Sequence, residues 1–401
     1  MKNIGLLIYA LNSGGAERVV AHLSHILSER YNVHVILFED TYMEYECGGT
    51  IHSLNAPTKE GSPLVKIGLL MQRRKALKTL IKKEKLDCVI SFLDSPNFVN
   101  LLAGVKGCRK IISIRNYSDL ENRQSFLGKL TNVAMKLLYR KADCVVAVSK
   151  LIEQNFKNQY NIPSEKITTI YNPYNFGEIT KKTKEPLSEN EKEFFDKHFV
   201  FLNVGRIMYQ KGIWHLVKAF SLVKKQNEKA GLVLVGEDIS DGKLTKLINS
   251  LGLDDSILLT GRTRNPYKYM ENSPVYVLAS MFEGFPNAMV EAMACSCAII
   301  AADCKSGPRE ILFENPDINE VASDICLADS GLIIPPLETE ENWDATVITT
   351  GEERLAEAML SLMNDTEKQS DLANKAQQRS RVFDFAAVER AFSQVIENKP
   401  E

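Results

Sequence analysis

The stretch Glu283-Gly284-Phe285-Pro286-Asn287-Ala288-Met289-Val290-Glu291 sets two carboxylates eight positions apart across a Gly-Phe-Pro step. Proline suits the first turn of a helix, where its missing N–H would have had no partner. A helix is therefore expected from Pro286, with Glu283 on the loop before it and Glu291 inside it. The N–H groups around Asn287 and Ala288 then form the positive end of that helix, suited to a phosphate oxygen. Apolar Val275–Ala279 precedes the segment and Ala298–Ala301 follows it, making a strand-loop-helix-strand unit and hence a parallel sheet.

The same alternation runs in both directions. Upstream, Ile4–Ala10, Val33–Phe38, Cys88–Phe92, Lys110–Ile114, Cys144–Val148 and Ile167–Tyr171 read as strands between helical patterns. Asn172-Pro173 then punctuates the chain. Phe176 to Lys197 is charged, contains Pro and has no strand, so it reads as a linker. A second series starts at Phe199, with Glu314–Glu341 an acidic insertion around a short Gly331–Ile334 strand, expected outside the core. Thr366–Asn398 is a terminal helical pattern broken near Phe383-Asp384-Phe385. The 401 residues exceed one ordinary core. The expected organisation is an α/β first domain over 1–175, a linker over 176–198, an α/β second domain over 199–375 and a terminal helix over 376–401.

Three further motifs accompany the acidic stretch. Val204-Gly205-Arg206 closes the apolar run from Phe199, and Lys211-Gly212 follows. Near the N-terminus, Leu11-Asn12-Ser13-Gly14-Gly15-Ala16-Glu17-Arg18 opens a helix after the first strand, and Asp303-Cys304-Lys305-Ser306-Gly307-Pro308-Arg309-Glu310 follows the acidic helix. With these four ordered motifs the chain resembles, over nearly its whole length, the retaining nucleotide-sugar glycosyltransferases of family 4 (group 1), in their bacterial surface-glycan and lipid-linked-glycan branch. The resemblance implies the GT-B fold, two facing Rossmann-like domains with a cleft between them, and a terminal helix that crosses back to the first domain.

It also implies roles. Arg206 and Lys211 would stabilise the leaving diphosphate, the guanidinium holding two oxygens and the ammonium acting as a compact charge. Two fixed cations can serve where other enzymes use a divalent ion, so neither metal nor cofactor is expected. Glu283 would face the transferred sugar and Glu291 the ribose, with Gly205, Asn287 and Ala288 against the phosphates and Thr263 fixing the base. Asn265, where an acid is absent, favours uracil over guanine. Gly15 would approach the donor phosphates, and Gly14 and Arg115 would contact the sugar or the acceptor. The implied reaction moves a hexose or N-acetylhexosamine from a UDP-sugar to a lipid-linked (polyprenyl-diphosphate) or surface-polysaccharide glycan. Alternative readings are a nucleotide-sugar epimerase on the same architecture and a non-catalytic partner subunit. The first lacks a use for Glu283 and Glu291 together, and the second would be free to lose Arg206, Lys211 or Glu283. A dinucleotide oxidoreductase needs a G-x-G-x-x-G step that Gly14-Gly15 does not supply.

Composition bounds the setting. Hydrophobic residues make up 44% and charged residues 25%, as in a soluble globular protein, and no apolar run is long enough to span a membrane. Ile4–Leu11 is too short for most signal sequences. The eight cysteines follow neither disulfide nor zinc spacing and read as reduced, buried thiols of a cytosolic protein. Through Thr180 there are 24 basic against 16 acidic residues, and afterwards 25 against 35. The basic excess lies in Gln72–Lys85 and Lys129–Lys141, where apolar residues recur at helical spacing. Such helices either pack on their own domain or lie on an anionic membrane surface. The expected location is thus cytoplasmic, peripheral on the inner face of the cell membrane. Aromatic residues do not interleave with the basic runs, which argues against nucleic acid.

Overall fold

The computed structural model describes residues 1–397 except Ser13, 59–61 and 116–125, and leaves the side chains of 63–64 and 126–131 undescribed. Ser13 of the motifs above, and the side chain of Lys129, lie outside the described residues. The chain forms two compact units. The first comprises Met1–Tyr174 and Phe383–Glu401, the second Asn175–Val382.

In the first unit, strands β1 (Asn3–Ile8), β2 (Asn32–Leu37), β3 (Thr50–Ser53), β4 (Cys88–Phe92), β5 (Arg109–Ile114), β6 (Cys144–Ala147) and β7 (Ile167–Thr169) form a sheet. Their order is β3-β2-β1-β4-β5-β6-β7, parallel throughout. Alternate residues serve opposite faces. Leu6, Ile8, Val35 and Ile90 meet helices Gly15–Ser28 and Phe385–Glu397. Leu7, Ile36 and Val89 meet helices Pro63–Lys83 and Asp94–Ala103. A sheet covered on both faces has continuous apolar strands, which is why they stand out in the sequence. Edge strand β3 has no fully buried residue and carries no such signal.

In the second unit the strands are β8 (Phe199–Val204), β9 (Ala230–Val235), β10 (Ile257–Gly261), β11 (Val275–Leu278), β12 (Ala298–Ala302), β13 (Cys326–Ala328) and β14 (Gly331–Ile334). Their order is β10-β9-β8-β11-β12-β14-β13, with only β13 antiparallel. Gly331–Ile334, expected outside the core, is instead fully buried and pairs in parallel with β12. Four residues between polar loops are too few to show a pattern. The stretch read as a linker, 176–198, carries helices Phe176–Lys182 and Glu189–Lys197. The second is clipped to the unit by Glu191, which accepts from Lys268 Nζ at 2.9 Å and from the Tyr269 hydroxyl.

The basic run in helix Pro63–Lys83 divides between core and surface. Arg73 is only 5% exposed. Its Nε donates to the Ala56 carbonyl at 2.9 Å, and its guanidinium lies 4.2 Å from the Phe38 ring centre. Arg74 donates to the Leu102 carbonyl at 2.7 Å. Neither is a solvated cation. Ile67, Met71 and Lys75, four apart on one stripe, are exposed, as are Val133 and Leu137 beside Lys136. Among the described residues, no helix is long and apolar enough to cross a membrane. No two cysteines are bonded, and burial pushes the thiols of Cys88 and Cys108 up to about 12, well short of reactive thiolates.

Candidate active site

In an open parallel sheet, ligands bind beyond the carboxyl ends of the strands where the order reverses. In the second unit that point lies between β8 and β11, the two strands flanking the reversal. The loop after β8 carries Gly205, Arg206 and Lys211, and the loop after β11 carries Glu283. The structure brings these two loops together. Met281 N–H donates to the Gln210 carbonyl at 2.8 Å, and Gln210 Nε2 donates to the Phe282 carbonyl at 3.0 Å. Lys211 Nζ then reaches Glu283 Oε1 at 2.7 Å, with the carboxylate only 5% exposed.

Gly212 makes the approach possible. Its φ of +59° is left-handed, and a Cβ there would fall 2.2 Å from the Ala279 carbonyl oxygen. The far end of the same loop is tied down by Tyr209, whose hydroxyl donates to the Thr339 carbonyl at 2.7 Å and whose ring stacks on Trp214 at 5.6 Å. Beneath it His215, Lys218 and Glu352 form a buried cluster. His215 Nδ1 meets Glu352 Oε1 at 2.7 Å, and Lys218 Nζ donates to the Val347 carbonyl at 2.9 Å. Arg206, by contrast, is exposed and has no side-chain partner among the described residues.

Beyond Glu283 the chain enters helix Asn287–Ala294. Pro286, expected inside the first turn, sits one step earlier as the N-cap, with φ −74° and ψ 86°. Its carbonyl accepts from Met289 N–H at 3.0 Å, so it closes the first turn without joining it. The loop is braced from behind by the segment after β12. Glu283 N–H donates to the Lys305 carbonyl at 3.0 Å, and Ser306 Oγ to the Gly284 carbonyl at 2.9 Å. Gly307, at φ +102°, packs so tightly on Pro286 that a Cβ would come within 2.4 Å of its Cδ. Arg309, also in this motif, is held by Asp303 at 2.6 Å and Glu320 at 2.9 Å and shapes the loop.

Asn287 and Ala288 are half-buried at the helix start, and Glu291 is buried with 3% exposure. The Tyr267 hydroxyl lies 3.4 Å from Glu291 Oε1. Thr263 Oγ1 accepts from Asn265 N–H at 3.1 Å. Asn265 itself donates to the Lys182 carbonyl at 2.8 Å and accepts from Tyr267 N–H at 3.1 Å. Its side chain is committed to the local fold, and no acid stands at this position.

In the first unit Gly14 caps helix Gly15–Ser28 in the extended region, so nothing in its backbone demands glycine. Arg115 follows β5 but is 7% exposed. Its guanidinium meets the Ser113 hydroxyl at 3.3 Å and the Asn172 side-chain oxygen, joining the ends of β5 and β7. Burial holds its pKa down to about 10. Both ends of its fork thus meet groups of the first unit, with which the expected sugar or acceptor contact of Arg115 would have to compete.

Sequence reasoning missed Ser280, whose hydroxyl donates to Glu283 Oε1 at 2.7 Å, and Tyr267 beside Glu291. Ser280 is a lone polar residue after an apolar run and Tyr267 stands in a polar turn, and only the fold shows where each points. Among the described residues, no three His, Cys, Asp or Glu side chains gather to hold a metal ion.

Comparison with known proteins identifies the family. Residues 13–177 match the model of glycosyltransferase family 4, and residues 185–319 that of glycosyl transferases group 1. The chain is 30% identical over 395 residues, covering 97% of itself and 98% of the relative, to the N-acetylgalactosamine-N,N'-diacetylbacillosaminyl-diphospho-undecaprenol 4-alpha-N-acetylgalactosaminyltransferase of Campylobacter jejuni. It is 26% identical to the capsular polysaccharide biosynthesis glycosyltransferase CapH of Staphylococcus aureus, covering 78% of this chain and 82% of that one. Among solved structures, HepE of Anabaena in complex with UDP and glucose superposes with a TM-score of 0.76 at 17% identity, over 99% of this chain and 100% of that one. The fold class is GT-B. Two Rossmann-like units, each carrying its family motif at the carboxyl edge of its sheet, make the chain a member of the family 4, group 1 glycosyltransferases.

Proposed function

We propose that the protein is a retaining, metal-independent glycosyltransferase that moves a hexose or N-acetylhexosamine from a UDP-sugar to a lipid-linked or surface-polysaccharide glycan. The observation that carries the reading is the Lys211–Glu283 contact of 2.7 Å, set beside the unengaged Arg206 at the reversal point of the second sheet.

Cleavage of the bond from the anomeric carbon to the β-phosphate oxygen leaves negative charge on the diphosphate and cationic character on the sugar. Arg206 and Lys211 answer the first, and Glu283 the second. The departing phosphate oxygen takes the proton of the acceptor hydroxyl, whose oxygen bonds to the anomeric carbon on the face just vacated. Glu291, beside Tyr267, holds the ribose hydroxyls. Gly205 and the helix start at Asn287 and Ala288 receive the phosphates, Thr263 lies against the base, and Gly14 and Gly15 of the first unit form a phosphate-approach loop. Names of relatives that act on diphospho-undecaprenol and capsular glycans support the acceptor class. The exposed stripe of Ile67, Met71 and Lys75 supports association with an anionic membrane, on the cytoplasmic side where nucleotide-sugars reside.

A panel of UDP- and GDP-sugars without acceptor tests the reading. One UDP-sugar should be hydrolysed slowly, with and without EDTA, and Glu283→Ala should abolish the turnover while melting like the wild type. A chelator-sensitive reaction would remove the two-cation account, and an active Glu283→Ala the assignment of the acid.

A further inference from the structure

Glu283 Oε1 receives two donors in this structure, each at 2.7 Å: the ammonium of Lys211 and the hydroxyl of Ser280. They differ in what holds them. Lys211 sits at the end of a four-carbon stem that can swing, and its side chain is about one-fifth exposed. Ser280 lies two residues beyond β11 and is 1% exposed, so its hydroxyl has little room to move. The carboxylate they share is itself buried, and a buried carboxylate that loses its counter-charge needs remaining hydrogen bonds to hold its place.

If Lys211 transfers to the diphosphate of an arriving donor, Glu283 loses that partner at the moment its orientation matters. We infer that Ser280 is the positioning residue that keeps Glu283 aimed once Lys211 has moved to the donor phosphate. In the empty enzyme Glu283 stores the lysine's charge, and in the loaded enzyme Ser280 alone fixes Oε1 and leaves Oε2 toward the sugar. The bond from Ser280 is common to both states and restrains the side chain's rotation in each. The backbone bond from Glu283 N–H to the Lys305 carbonyl at 3.0 Å fixes the main chain but does not select the side-chain rotamer. The inference rests on the donor reading given above.

The test compares wild type, Ser280→Ala and Ser280→Cys in hydrolysis of the best UDP-sugar, in UDP binding by calorimetry and in thermal melting. Cysteine preserves the volume but is a weak donor. A hydrogen bond to a charged group corresponds to roughly 10- to 100-fold in rate. Both variants should therefore lose about that much in kcat, with UDP affinity held within about twofold because Arg206 and Lys211 remain. A kcat near wild type in either variant overturns the proposal. So does a parallel fall in UDP affinity and melting temperature, the mark of a structural role, including failure of the volume-preserving Ser280→Cys to fold. A wild type that hydrolyses no sugar nucleotide refutes the donor reading and this inference with it. A wild type that turns over while Ser280→Ala keeps full kcat refutes the inference alone.

Discussion

Gly212→Ala tests whether the geometry of the two loops sets the rate. Alanine in the left-handed region costs roughly 1–2 kcal/mol. At this position its Cβ would also stand 2.2 Å from the Ala279 carbonyl oxygen and 2.8 Å from Met281 Cε, and the carbonyl belongs to backbone that cannot rotate away. Overpacking of that kind adds about 1–3 kcal/mol. The loops after β8 and β11 must part by about 1 Å, a misplacement that costs on the order of 10²-fold in rate. The separation opens the bond of 2.8 Å from Met281 N–H to the Gln210 carbonyl, and with it the Lys211–Glu283 contact. Gly242→Ala is the internal control. Gly242 has φ +77° with nothing within 4 Å of its Cβ position, so it bears the backbone cost alone. Donor hydrolysis and differential scanning calorimetry on both variants should show Gly242→Ala with full turnover and a loss of roughly 1–2 kcal/mol. Gly212→Ala should lose about 100-fold in turnover and roughly 2–5 kcal/mol. Equal turnover in the two variants would refute the idea that close docking of these loops positions the lysine.

Glu191 joins helix Glu189–Lys197 to the second unit. Burial raises its pKa, but bonds from Tyr269, Lys268 and Ser188 outweigh that and bring it to about 2. An acid depressed on folding stabilises above its unfolded value and ceases to do so as pH falls through the folded value. The gap between wild type and Glu191→Gln should be about 1–3 kcal/mol at pH 7 and close between about pH 4.5 and 2; a gap independent of pH would disprove the clip. Glu352→Ala strands Lys218 in the core and should cost about 3–5 kcal/mol in urea unfolding, whereas a loss below about 1 kcal/mol would mean that the cluster is not buried as described. Joint replacement of Ile67 and Met71 by Glu should lower binding to phosphatidylglycerol vesicles by about tenfold or more without lowering stability. Vesicle binding that does not change would exclude this stripe as the membrane contact.

The second sheet from β8 to β12 and its site loops were legible because their signals are local. Buried strands are continuous apolar runs, and Glu283, Glu291, Arg206 and Lys211 stand at fixed offsets from strand ends. Helix Glu189–Lys197 escaped because it buries no residue fully, yet Ser188 and Glu191 form a capping box that marks its start. Thr349 and Glu352 do the same for helix Thr350–Met363, another element absent from the sequence reading. Arg73 belongs to a basic run that the sequence left open between packing on its own domain and lying on a membrane surface. Leu69, Arg73, Leu77 and Ile81 lie four apart, and all four are buried. A cation standing in an apolar stripe gives no local sign that it packs inward. Arg115 and Ser280 could be read in neither way, since their partners Asn172 and Glu283 are fixed by tertiary packing.

Helix Phe385–Glu397 gives the first unit a chronology. Val388, Phe392 and Ile396 close a face of the sheet begun by β1, while Lys2 reaches Glu397 at 2.9 Å and Arg109 reaches the Val395 carbonyl at 2.6 Å. On the ribosome, the 208 residues of the uninterrupted second unit, Asn175–Val382, emerge as one block and can fold as soon as they clear the exit. The first unit, whose early strands are made long before, keeps that apolar face open until the last helix arrives. The part synthesised first is the part finished last, and between those moments it is the stretch of this chain that most needs shielding from aggregation.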